Sequence, residues 1–202
     1  MVDEKLTRLK RRSGVGPPPA DYADTMYFRE VELQCEFAHR SFGQMQEIFA
    51  TNPKNALLLA LAHMLLVFAG NVAKLLTSSK DSSLKTKNRS ARLRKSLGFK
   101  AEDFSTIRRA RNFLEHFDER LDKHMERGGL LIHRLVVDHE PSSIALDDGR
   151  IFTPTFMQLL NTTTWEVSLY GERFLLPEVL QLLESVQRSA QAARSKLYES
   201  GV

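Results

Sequence analysis

Cysteine is almost missing from this 202-residue chain: Cys35 stands alone. A disulfide framework is therefore excluded, and no Cys/His cluster has structural-zinc spacing, so no metal site is expected. Tryptophan occurs once and proline seven times, three of them at Pro17-Pro18-Pro19. No apolar run reaches the roughly 20 residues that span a bilayer. The longest, Ala56–Gly70, has 15 residues, contains His63 and is followed by Asn71 and Lys74. It reads as a buried core helix. The N-terminal residues carry Lys5, Arg8, Lys10, Arg11 and Arg12, then Ser13–Pro19 where a signal peptide would place its apolar segment. A cytoplasmic protein without membrane association is the expectation. GxxxxGK[ST], GxGxxG and GxSxG are all absent, which leaves phosphate-cradling loops and a nucleophile elbow without support, and no cofactor is expected.

What is present is balanced. Lys and Arg number 29 against 25 Asp and Glu, a formal net charge of +4. Twelve Phe supply bulky core groups, and the length is enough to bury a full core. Residues 1–20 read as a basic, Pro-rich tail and residues 21–202 as one domain. From Asp21 to about Thr51, Tyr27, Val31, Cys35, Ala38, Phe42, Met45 and Phe49 recur at helical steps; Cys35 on that stripe is a small core residue. Asn52-Pro53 punctuates, with Pro53 suited to a first helical turn, and a second, nearly all-apolar helix runs to about Leu76. Lys80–Lys100 then holds eight cations against the single acid Asp81, with a short basic helix expected over Asn88–Leu97. Such a segment is either a solvated loop or a phosphate-binding patch.

Ala101–Arg127 reads as a third strong helix, stopped by Gly128-Gly129. Residues 130–176 turn to strand patterns (LIHRLVV, RIFTPTF, WEVSLY and RFLL, with a turn at Asp147-Asp148-Gly149), expected to form a small antiparallel meander. A final helix is expected over about Pro177–Tyr198. The fold class is thus mainly α: a helical bundle with a small antiparallel β-insert before its C-terminal helix.

A wheel at about 100° per residue divides the third helix into faces. Phe104, Ile107, Ala110, Leu114, Phe117, Leu121 and Met125 form a core stripe. Glu115, Asp118, Glu119, Asp122 and Glu126 form an acidic flank, with Arg108 and Arg111 among them. Arg109, Asn112, His116, Arg120, Lys123 and Arg127 form a basic stripe. His116 therefore points away from the core, either as a solvated histidine or as part of a site. Arg111 is placed to pair with Glu115 four residues on. His124 lies about 80° from His116, poor geometry for a shared metal, and His133 and His139 receive no role.

The segment Arg111-Asn112-Phe113-Leu114-Glu115-His116 (RNFLEH) resembles the RX4–6H signature of the HEPN superfamily. Four Arg/His pairs here have that spacing, but only Arg111/His116 has a polar residue after the Arg and lies in a bundle helix. The resemblance implies a HEPN-like bundle and a metal-independent endoribonuclease, of the kind used as a toxin or defence effector, with RNA, a second copy of the chain and an antitoxin or regulatory protein as partners. It assigns the catalytic positions to Arg111, Asn112 and His116. The chemistry suits these residues. A histidine titrates near neutral pH and serves as base or acid, while arginine offers a planar fork of donors to phosphate. One chain supplies one such histidine, so a two-fold dimer would complete a composite site. Where one toxin subgroup carries a modifiable Tyr two residues after the His, this chain has Asp118. RNA contacts are expected from Arg109, Arg120 and Lys123 on the stripe, and from Arg92, Arg94 and Lys95 in the basic segment. The alternative is a non-catalytic helical module that binds nucleic acid or protein through Lys80–Lys100.

Overall fold

The computed structural model describes residues 20–127 and 131–199; the basic tail and Gly128-Gly129 lie outside them. The chain is mainly helical, with a small sheet towards its C-terminal end. Helix α1 (Ala20–Thr51) follows from its apolar spacing. Phe28, Val31, Cys35, Ala38 and Met45 are buried on one stripe, with Tyr27, Phe42 and Phe49 packed partly against it. Burial pushes the Cys35 thiol up to about 12, which keeps it an unreactive packing group.

Helix α2 (Leu57–Leu76) is long and apolar enough to cross a membrane by length and composition, and in this fold eleven of its residues are buried. It starts four residues later than Pro53 suggests. Pro53 and Lys54 form a turn, and the Asn55 side chain accepts from the Leu57 N–H at 2.9 Å. That bond satisfies one of the orphan donors of the first turn.

Helix α3 (Leu84–Leu97) is longer than the expected 88–97 because Ser83 caps it. The Ser83 hydroxyl accepts from the Thr86 N–H at 3.2 Å. Gly98, at φ +78°, ends it, and the Phe99 N–H donates to the Arg94 carbonyl at 3.1 Å, a turn that favours glycine.

The expected single helix over 101–127 is instead a short 3-10 turn (Glu102–Phe104), helix α4 (Ser105–Glu115) and helix α5 (Phe117–Arg127). His116 stands at the break with φ −118° and ψ 35°. The expected core stripe holds only up to it. Phe104, Ile107 and Ala110 are buried, whereas Phe117 is 50% exposed and Met125 69%. Helix α4 packs along α2; α5 swings off the bundle, and none of its residues is buried.

The sheet corrects the antiparallel expectation. Strands β1 (Leu131–Val137), β4 (Thr155–Asn161), β5 (Glu166–Leu169) and β6 (Glu172–Leu175) lie side by side in that order. β1 runs parallel to β4, with Leu131 opposite Thr155 and Val137 opposite Asn161; the other two pairings are antiparallel. The physical reason lies in the turn at Asp147-Asp148-Gly149. It closes a separate hairpin of β2 (Ile144–Ala145) and β3 (Ile151–Phe152), with Gly149 at φ +83°. The chain is thereby carried back to the start of β1 instead of folding onto its end. Helix α6 (Leu176–Glu199) then packs beside α1. Trp165 docks the sheet on the bundle, its ring edge-on to Phe42 and Phe49 at 5.3 and 5.2 Å.

The break at His116 makes a contrast in stability. Leu65→Ala, at a fully buried site, is expected to cost about 2–5 kcal/mol. Met125→Ala, which a continuous core stripe would make costly, is expected to stay within about 0.5 kcal/mol. Urea denaturation of the two variants measures both.

Candidate nucleic-acid groove

The residues of the basic stripe meet different fates once the helix breaks. Asn112, His116, Glu119, Arg120 and Lys123 line one groove of about 270 Å³. Arg120 and Lys123 also line a second hollow of about 470 Å³, with His124, Arg127, Thr155 and Tyr170. Together they make a continuous trough along α5 in which Glu119 is the one carboxylate among the described residues.

Helical spacing places Glu119 beside His116, and its Oε1 lies 3.1 Å from His116 Nδ1. An ionised carboxylate only accepts, so Nδ1 carries the proton and Nε2 is left as the acceptor in the neutral ring. The Arg120 guanidinium lies over the Phe113 ring, 3.5 Å from its centroid, which holds α5 against α4 across the break. The Tyr170 hydroxyl donates to the Phe117 carbonyl at 3.3 Å, fixing the same corner from the sheet side.

Arg111 is not brought to His116. Its Nε donates to Glu115 Oε2 at 3.0 Å, and Lys74 pairs with the other oxygen of Glu115. The aliphatic part of Arg111 lies against α2 at Gly70, where an added Cβ would fall 3.0 Å from Arg111 Cγ. Lys74, then Arg111, holds the Glu115 carboxyl below the usual carboxylate range. The stabilisation from that cluster is therefore present above the ordinary carboxylate range and lost as pH falls through the lowered value. Of the three catalytic positions implied by the resemblance, Asn112 and His116 share the groove and Arg111 does not line it. Arg109 stands 3.5 Å from Glu172 of β6 and lines neither hollow.

The basic segment is largely used by the fold. Arg92 makes a two-pronged contact with Asp24 of α1 at 2.8 and 2.6 Å. Arg94 donates to the Leu76 carbonyl, and Ser90 to those of Leu75 and Thr77 at 3.2 and 3.1 Å. These groups satisfy carbonyls at the C-terminus of α2, where cations also suit the helix dipole. Lys95 is exposed. Among the described residues no group of three or more His, Cys, Asp or Glu is arranged to hold a metal ion.

Sequence reasoning missed Glu119 as a site residue, although its position three residues after His116 was a usable signal. Tyr170 and Thr155 come from the sheet, and no local pattern pointed to them. No family model, no curated protein and no solved structure matches the chain.

Arg94→Ala is expected to cost about 1–2 kcal/mol by orphaning the Leu76 carbonyl, against less than about 0.5 kcal/mol for Lys95→Ala. Thermal melts of the two variants distinguish a capping helix from a freely solvated basic patch.

Proposed function

We propose that this protein is a metal-independent endoribonuclease of the HEPN kind, acting on RNA held in the α5 trough, with its site completed across a homodimer. The observation that carries the reading is the His116–Glu119 pair at the helix break, set among Asn112, Arg120 and Lys123. His116 Nε2 takes the proton of a ribose 2′-hydroxyl, whose oxygen attacks the adjacent phosphorus. The P–O5′ bond breaks, leaving a 2′,3′-cyclic phosphate and a 5′-hydroxyl. The departing oxygen needs a proton, and the protonated His116 of a second copy supplies it. Arg120 and Lys123 offset the charge that builds on the phosphoryl oxygens. In this account Arg111 fastens α4 to α2, a positioning role that differs from the phosphate contact the resemblance implies. The cytoplasmic setting, and regulation by an antitoxin-like partner, belong to the same proposal.

A second reading is supported by the placement of Arg111 itself. With that residue tied to Glu115 and a single His116 in each chain, the trough is also suited to binding RNA without cutting it. One experiment separates the two. Wild type and His116→Ala are incubated with mixed structured RNA in excess EDTA, and products are resolved on a gel. Discrete fragments from wild type, reduced at least about 100-fold in the variant with an unchanged melt, are expected. Undiminished cleavage by His116→Ala would overturn the enzyme reading. Binding without cleavage, weakened by Lys123→Gln with a salt slope lower by about one, would establish the binding module.

A further inference from the structure

A second concavity lies between α2 and the sheet, sharing only Tyr170 with the trough. Its outer chamber, about 530 Å³, is bordered by Lys54, Leu59, Ala60, His63, Arg134 and Gln158. Its inner chamber, about 130 Å³, is walled by Phe113, Phe117, Met157 and Leu169. His63, Arg134 and Gln158 border both, so the two are lobes of one site. The combined volume falls in the range of small-molecule sites, roughly 300–1,000 Å³.

The charges here are one-sided. Lys54, His63, His133 and Arg134 line the cavity, and among the described residues no carboxylate lines either chamber. The side chains of Lys54, His63 and Arg134 make no hydrogen bond or ion pair among the described residues. Burial, and then the charge of Arg134, lower the pKa of His63, the mark of a half-buried imidazole facing an uncompensated cation. By contrast, Arg92 has Asp24 at 2.8 and 2.6 Å, and Arg194 has Glu32 at 2.7 and 3.0 Å. Gln158, only 8% exposed, adds an amide at the junction of the chambers. Converging donors at the mouth and an apolar inner lobe suit a small molecule with an anionic head, not a polymer tracking along a surface.

We propose that this cavity binds a small organic anion, its phosphate or carboxylate held by Lys54, His63 and Arg134 and a ring-sized apolar group seated against Phe113, Phe117, Met157 and Leu169. The site is independent of the α5 trough and of any action on RNA. An anion favours the protonated imidazole, so binding raises the His63 pKa. Affinity is therefore greatest at low pH and declines as pH rises through the His63 titration.

The test is calorimetric titration of the full chain with phenyl phosphate, benzoate, phenol and inorganic phosphate. Phenyl phosphate or benzoate is expected to bind one to one, and whichever binds more tightly identifies the head group. Phenol and inorganic phosphate should each be at least about tenfold weaker than that ligand. Arg134→Gln, at an exposed position, should reduce affinity about tenfold or more without changing the melt. Lys85→Gln on α3 should leave it unaltered. In a pH titration followed by the His63 ring proton resonance, saturating benzoate should move the midpoint to higher pH. Failure of both aryl anions to bind at millimolar concentration would overturn the proposal. So would unchanged affinity in Arg134→Gln, an equal loss in Lys85→Gln, or phenol binding as tightly as its anionic counterparts.

Discussion

Helix α2 has to be covered on most of its circumference, and the bundle is the means of covering it. Leu58, Leu61, Leu65, Leu66, Val72 and Leu76 are all buried, and no single neighbour reaches so many directions. Helix α1 takes one side, α4 another, and the β1–β4 region a third. Burying the helix also buries its last carbonyls, and an unsatisfied buried carbonyl costs free energy comparable to a lost hydrogen bond. The basic segment that follows supplies the donors. Thr77 turns its hydroxyl back to the Ala73 carbonyl at 2.6 Å, and α3 returns with Ser90 and Arg94 to cap the rest. A segment that looks like a polyanion-binding patch by charge alone thus has a first duty inside the fold.

How much of this was legible in the sequence follows from how local each determinant is. The stripe of α1 and the apolar run of α2 extend over many residues, and both helices form there, α2 with its start displaced from Pro53 to Leu57. The glycine stop at Gly98 and the cap at Ser83 are local too, and the cap is the signal that extends α3 back to Leu84. The break at His116 left no local mark, since Glu115, Phe117 and Asp118 continue a helical pattern without a proline or glycine. It shows only in three dimensions, where α4 lies on α2 and α5 is drawn to Tyr170 and the sheet. The parallel pairing of β1 and β4 was hidden for a similar reason. The Asp147-Gly149 turn is genuine, but the strands it joins are two residues long, and the longer strands pair across them. At the site, Asn112, His116, Arg120 and Lys123 came from the wheel and do line one groove. Arg111 came from a motif spacing of five residues, about 140° around a helix, and that angle carries it to α2.

Net charge is a poor guide to what the cations of this chain do. Among the described residues Arg94 pairs with no acid; it completes a helix end. Arg92 and Arg194 join α1 to α3 and α6 through Asp24 and Glu32. Arg120 is used for its flat face, over Phe113. What remains is uneven: among the described residues the α5 trough is lined by one carboxylate, and the cavity bordered by Lys54 and Arg134 by none. Overall composition singles out neither place.

The small sheet is part of the trough and not an appendage to the bundle. Tyr170 holds a left-handed backbone, φ +51°, beside Gly171 at φ +84°. A tyrosine keeps such a conformation only where its surroundings over-determine it. Here its N–H donates to the Phe156 carbonyl at 3.1 Å, and its hydroxyl reaches the Phe117 carbonyl on the first residue of α5. Arg120 on Phe113 fixes the next turn from the α4 side, and Phe113 in turn packs edge-on to Phe174 of β6 at 6.1 Å. The angle at which α5 leaves the bundle, and with it the position of His116 and Lys123 relative to each other, is therefore set by β-sheet contacts on both sides of the break. The residues after 127 thus orient the groove as much as the helices before it do.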